Sequence, residues 1–264
     1  CKYMLNENVI SFKLLKSYNK KYPLIIDPVL IFSTYSGSSA MNWGQTATYD
    51  NSGHLYAGSI SFAIGYPTTL GPFQQFFGGG NTDMCITKFS TDGTSLIYST
   101  YLGGNGPENP HSLVVNDNDE LFVFGSTGSA NFPISTTAFD NSFNGGSSWG
   151  FIGSYIPYPN GIDIVVTKFS SNGNNLLGST FIGGSGNDGI NESGASSYNT
   201  SGLCNFYADE YRGEIILDTA GNCYVASTTK SIDFPMVGAA QTSLGGGQDA
   251  VVFKLNSDLS SLLW

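Results

Sequence analysis

The chain has 264 residues, a formal net charge of −10 and 11% charged residues, against roughly 25% in ordinary soluble domains. Its ten Lys and Arg are scattered, which excludes a basic phosphate-binding surface and with it nucleic acid as an expected partner. No apolar run reaches the roughly 18 residues of a membrane-spanning helix, whereas 34 Gly and 14% aromatic residues suit many short strands joined by tight turns.

Residues 1–29 precede any repetition, and no leader-like pattern opens them, so an export signal is expected to lie outside this chain or to have been removed. From Leu30 the chain repeats itself. LIFSTYSG (Leu30–Gly37), LIYSTYLG (Leu96–Gly103) and LLGSTFIG (Leu176–Gly183) are copies of one segment, and Leu262-Leu263-Trp264 begins a fourth. A second segment keeps step: DMCITKFSTDG from Asp83, DIVVTKFSSNG from Asp163 and DAVVFKLNSDL from Asp249, spaced by 80 and then 86 residues. A third precedes each pair: TATYDNSGHLYAGS to Ser59, SLVVNDNDELFVFGS to Ser126 and EIILDTAGNCYVAST to Thr228. Each is an apolar run, a turn rich in Asp, Asn and Gly, and an alternating run, which predicts a β-hairpin.

Four strands per repeat follow, here termed A to D. A ends near Asp50, Asn116 and Asp218; B covers His54–Ser59, Glu120–Ser126 and Asn222–Thr228; C starts at the repeated Asp; D is the STY segment. Radial repetition of four-stranded antiparallel sheets predicts an all-β fold of the β-propeller type. The repeats are expected near 30–101, 102–181 and 182–264. A sandwich or a solenoid-like stack are the architectural alternatives. Three repeats are too few for a ring, so further blades or other chains are expected to complete it.

The combination of STYLGG, D-x-x-G-N-x-Y-V-A, S-x-D-F-P and D-A-V-V-x-K-L-N resembles the SBBP β-propeller repeat family of large secreted proteins in Bacteroidota and other bacteria. Asn131-Phe132-Pro133 and Asp233-Phe234-Pro235 hold the same place in two repeats, while the first has Gly65-Tyr66-Pro67. The resemblance implies export, by a type IX route, and a secreted or cell-surface location. The stretch 1–29, with VISFKL at Val9, resembles the end of a β-rich domain preceding such propellers, or a linker.

In an up-and-down meander the A–B and C–D turns share one face and the B–C and D–A connections the other. The second repeat lengthens its B–C loop by roughly a dozen residues, and the following D–A connection grows as well, so both insertions fall on one face. Long loops on a rigid scaffold are where binding resides. The first insertion carries Trp149, Phe151, Tyr155 and Tyr158 in an uncharged stretch, which suits recognition of a protein or a surface glycan. Alternatively, these aromatics fold back to plug the propeller mouth or pack on a neighbouring blade.

Motifs for chemistry are sparse. His54 and His111 show no ligand spacing, no G-x-S-x-G elbow occurs, and Arg212 is the only arginine, too few for a sialidase-like carboxylate clamp. The Gly runs at Gly78–Gly80 and Gly245–Gly247 precede strands and suggest loop flexibility. Asn116–Glu120 offers oxygen ligands, making Asp117 and Asp119 the calcium candidates, but it lacks EF-hand spacing and equally fits a hairpin turn. No other cofactor and no catalytic residue is expected. Asp83, Asp163 and Asp249, with Lys88, Lys168 and Lys254, recur in every repeat and therefore suggest a scaffold role. Cys85 aligns with Val165 and Val251, and Cys223 with Leu55 and Leu121, so both are expected as buried free thiols. The expectation is a secreted, non-catalytic module for binding, adhesion or extracellular assembly; the alternatives are a glycan-active or lyase-type propeller enzyme and a purely structural spacer.

Overall fold

The computed structural model describes residues 2–6, 9–13, 17, 21, 31–150, 156–191 and 211–264. The chain divides into two compact units, Cys1–Ser33 and Thr34–Trp264. In the first, strands β1 (Lys2–Asn6) and β2 (Val9–Lys13) pair antiparallel. The second is all-β, with three antiparallel sheets of four, four and three strands.

The first sheet runs β3 (Asn42–Tyr49), β4 (Leu55–Ser61), β5 (Asp83–Phe89) and β6 (Leu96–Leu102). The second runs β7 (Glu108–Val115), β8 (Leu121–Thr127), β9 (Asp163–Phe169) and β10 (Leu176–Ile182). The third runs β11 (Glu214–Leu217), β12 (Cys223–Thr229) and β13 (Asp249–Leu255). Each strand pairs with the next in sequence, so the A, B and C segments fall where the repeats placed them.

Segment D departs from expectation at its first copy and agrees with it elsewhere. Leu262 does bridge to Leu255, the position held by Leu96 on Phe89 and Leu176 on Phe169, and Leu263 and Trp264 exchange backbone bonds with Lys254. The third sheet thus has three strands and the first residues of a fourth, where the repeat places Leu262–Trp264. Residues 31–37, the first copy of the STY segment, form no strand. A D segment needs a C strand at its side, and among the described residues no C-type strand precedes this copy.

The A–B hairpins close on one repeated device. Asp50 Oδ1 accepts the N–H groups of Ser52 and His54, Asn116 Oδ1 those of Asn118 and Glu120, and Asp218 Oδ1 those of Ala220 and Asn222. Such side-chain mimicry of a turn is why Asp and Asn are favoured there. Each repeated lysine then reaches back across strand B to this turn: Lys88 to Asp50 at 3.1 Å, Lys168 to Glu120 at 2.8 Å and Lys254 to Asp218 at 2.9 Å. Its ammonium group lies over the ring of Tyr56, Phe122 or Tyr224 at 4.6–5.2 Å, a cation–π contact. The recurrence of these lysines is therefore a matter of sheet architecture.

The sheets meet through their first strands. β7 packs against β3, β4 and β5 on one side and against β11 on the other. Met84, Ile86 and Leu102 of the first sheet share a core with Leu121, Val123, Val165 and Phe169 of the second. The opposite face of the second sheet contributes Phe122, Phe124, Ile164 and Val166 to a core with Ile215, Val225, Phe253 and Leu255 of the third. Covered on both faces, β8 is buried at all seven positions. Cys85 and Cys223 are buried free thiols, in strands β5 and β12 of different sheets. Truncating Phe124 to Ala empties space between the second and third sheets and is expected to cost about 3–5 kcal/mol, read as a lower denaturant midpoint with an unchanged slope.

Candidate functional site

The B–C connection of the second sheet, residues 128–162, is longer than those of the first and third sheets, and much of its described part turns inward. Ile156, Tyr158 and Ile162 bury themselves with Ile60 at the end of β4 and Ile190 beyond β10. Trp43, Phe62, Trp149 and Tyr211 line the margin of this cluster. Trp149 and Tyr158 form an isolated antiparallel bridge with backbone bonds of 2.9 and 2.8 Å, their rings edge to face with centroids 5.9 Å apart. Trp149 also meets Tyr211 at 6.3 Å, and Tyr211 leads on to His111 at 5.9 Å.

The four aromatic candidates thus divide. Tyr158 is completely buried, lying on Gly128, where an added Cβ would come within 2.9 Å of its ring. It acts here in packing. Trp149 is only half-buried, beside Tyr211 at the margin of the cluster. Phe151 and Tyr155 lie outside the described residues. The environment is electrically quiet: burial lowers His111 to about 3, so its ring is neutral, with Nε2 3.0 Å from Ser126 Oγ. An uncharged aromatic rim of this kind can stack on a sugar ring or take an apolar side chain.

Beneath this face lies a polar system at each sheet junction. Glu108, at the start of β7, is fully buried; Thr127 Oγ1 donates to it at 2.7 Å, Ser129 Oγ also donates, and Gly104 N–H donates at 3.3 Å. Asp188 repeats the arrangement with Thr229, Ser231 at 2.7 Å and Gly184 N–H at 2.8 Å. The adjacent backbone is held by the same elements: Asn131 Oδ1 accepts Asn105 N–H, and Asp233 Oδ1 accepts Ser185 N–H. The B–C and D–A connections accordingly share a face, as the loop geography predicts. The Asn-Phe-Pro and Asp-Phe-Pro motifs find their purpose in these loop-to-loop bonds.

The repeated acids of strand C complete the system. Asp83 Oδ2 accepts Gly78 N–H at 2.5 Å, Asp163 accepts the N–H groups of Asn144 and Gly145 at 2.6 and 2.9 Å, and Asp249 accepts Gly245 N–H at 2.6 Å. The Gly runs are backbone donors to these carboxyls, which corrects their reading as simple flexibility. Asp83 and Glu108 face each other across Gly103, and Asp163 and Asp188 across Gly183; a Cβ on either glycine would sit within 3.0 Å of both acids. Burial pushes Asp83 up to about 7 and Asp163 up to about 8, and raises Glu108 and Asp188 as well. Asp83 Oδ1, otherwise unpartnered, is satisfied when a proton is shared with Glu108.

The calcium candidates belong to the opposite, turn-bearing face. Asp117 accepts a hydrogen bond from Asn51 of the neighbouring turn at 3.1 Å, and Asp119 takes a positive φ of 60° in the hairpin and lies 3.9 Å from Lys88. Among the described residues no three His, Cys, Asp or Glu side chains group together as metal ligands. Sequence reasoning missed Glu108 and Asp188 as a matched pair, although G-G-x-G-x-Glu from Gly103 and G-G-x-G-x-Asp from Gly183 carry the signal. It also missed Tyr211, which lies too far from Trp149 along the chain for any pattern to join them. No family model matches the chain, and no curated protein matches it.

A carboxyl whose pKa is raised by folding stabilises the fold while protonated in both states and loses that contribution as pH rises through the folded value. The melting temperature is therefore expected to fall between about pH 5 and about pH 8. Asp83→Asn, which keeps hydrogens facing Glu108, is expected to flatten that decline when melting is followed by circular dichroism across the same range.

Proposed function

We propose that the repeats are blades of a β-propeller in an exported, non-catalytic surface module, and that the loop face bearing Trp149 binds a protein or a glycan. The observation that carries the architectural part is the contact of β7 with β3 on one side and β11 on the other. First strands that neighbour one another, with each sheet meandering away from them, are the arrangement of blades around an axis. The resemblance of the STY, Asp-Phe-Pro and strand C motifs to the SBBP repeat supports the same reading and supplies the expectation of export.

The binding part follows from how the two faces differ. The turns of one face are trimmed and internally bonded, while the other face carries the inserted loop. Its buried half, Ile156, Tyr158 and Ile162, anchors it to the sheets and leaves the Trp149 ring on a rigid base. Anchored aromatic surface loses little conformational entropy when it binds. On glycan arrays and against extracted surface proteins, Trp149→Ala is expected to weaken binding by at least about tenfold, the loss of about 1.4 kcal/mol that marks an interface anchor. Unchanged binding by a variant with a native circular dichroism spectrum would refute the role of this face.

A further inference from the structure

Strand β7 carries two polar side chains that the fold leaves unmatched. Among the described residues neither Nδ2 nor Oδ1 of Asn109 finds a hydrogen bond, although Asn109 is fully buried, and His111 Nδ1 finds none either. A buried polar atom without a partner carries its whole desolvation cost, and native proteins keep few of them. The first sheet shows that the scaffold does not require polarity at this place. Asn109 stands opposite Ser126 in the register of the second sheet, and the corresponding pair of the first sheet is Trp43 opposite Ile60. Ile60 is completely buried. The polar residues of β7 are therefore a local departure that the shared architecture does not ask for.

Both groups sit at the foot of the Trp149 rim. Glu108 turns toward Asp83 of the first sheet, so by strand alternation Asn109 points to the opposite face, the one that meets the third sheet. Ser126 shares that face with Phe124, and its Oγ lies 3.0 Å from His111 Nε2. His111 is the bulged residue of β7, where the register shifts between Pro110 and Ser112, and a bulge re-aims the side chain it carries. Its ring meets Phe124 at 5.0 Å and Tyr211 at 5.9 Å, and Tyr211 in turn meets Trp149. His111 keeps 9% of its surface exposed, so the inner end of this row of rings is not sealed from solvent.

Granted the binding role proposed for the Trp149 face, on which this rests, we infer that Asn109 and His111 form the polar floor of its pocket, with Trp149 and Tyr211 as the rim and a neutral sugar as the ligand. A pyranose offers an apolar C–H face to an aromatic ring, and hydroxyls that both donate and accept. The Asn109 amide sets a donor and an acceptor side by side, which matches two adjacent hydroxyls. His111 serves in either tautomer. With Nε2–H donating to Ser126 Oγ, Nδ1 accepts; with Ser126 donating to Nε2, Nδ1–H donates. Burial keeps this imidazole uncharged, so the floor gives no cation to a carboxylate or phosphate and suits a sugar without one. An apolar side chain of a protein partner would cover the Asn109 amide and leave it unpaired, which a site of this kind penalises.

Asn109→Leu and His111→Phe remove the polar atoms while nearly keeping the size of each side chain, and Trp149→Ala serves as the reference. Neutral monosaccharides (hexoses, pentoses, 6-deoxyhexoses and N-acetylhexosamines) are titrated in saturation-transfer NMR, and melting is followed by circular dichroism. The native chain is expected to bind at least one of these sugars, and each polar-to-apolar variant to bind it at least about tenfold more weakly. Both variants are expected to melt no lower than the native chain, because the unmatched groups are gone. A lower melting temperature for Asn109→Leu would show that structural water already matches the amide, and overturns the inference. A native chain that binds none of the sugars overturns it as well, even where Trp149 captures an extracted surface protein. Sugar binding that survives Asn109→Leu and His111→Phe but falls in Trp149→Ala overturns the polar floor and leaves the role of the face standing. Sugar binding untouched by all three substitutions removes the role of the face and the pocket together.

Discussion

A buried carboxyl has to be hydrogen-bonded or it destabilises the fold, and much of the architecture follows from how Glu108, at the start of β7, and Asp188, in an isolated bridge with Thr229, meet that demand. Each takes its donors from both sides of a sheet junction: a glycine N–H of the connection leaving one sheet, and two hydroxyls at the end of strand B in the next. The acid of strand C comes up against the same glycine from the other side. Two acids, one glycine and a pair of hydroxyls thereby lock consecutive sheets in a single geometry, and the low dielectric around them makes any departure from it costly.

This lock explains the pattern of small residues better than loop flexibility does. An added Cβ on Gly104 would press on Ser129 and Asn131, and one on Gly184 on Ser231 and Asp233, at 2.5–2.8 Å. In the first repeat the neighbours are Ala63 and Gly65, and the corresponding connection is Gly37-Ser38-Ser39-Ala40. Space given up on one loop is taken on the other. Asn42 stands in place of the acid, and its amide donates to Ser36 at 2.9 Å. The departure of the first repeat at Gly65-Tyr66-Pro67 is therefore half of a matched exchange across the junction.

The inserted loop shows how one face of such a scaffold is specialised. Its apolar residues do not all serve a partner. Ile156, Tyr158 and Ile162 fix it to the sheet ends, and the gain from burying them offsets the entropy of ordering the residues around them. Trp149 is left at the boundary, braced by Tyr158 and Tyr211. Of the aromatic residues in this stretch, Tyr158 is taken up by packing, while Trp149 keeps the partial exposure that its proposed binding role requires.

The repeats alone determined the strands, their order and their antiparallel pairing, because alternation and Asp/Asn/Gly turns are local properties that each copy states again. They also marked the recurrent Asp and Lys as scaffold, since a group present in every copy must serve what every copy shares. The tertiary structure decided which acids face each other, which of Trp149 and Tyr158 is covered, and that residues 31–37 carry the STY sequence without becoming a strand. None of these is local. A strand exists only when another backbone lies at hydrogen-bonding distance, and a carboxyl is displaced in pKa only by what folds over it, so both depend on neighbours that the order of residues does not name.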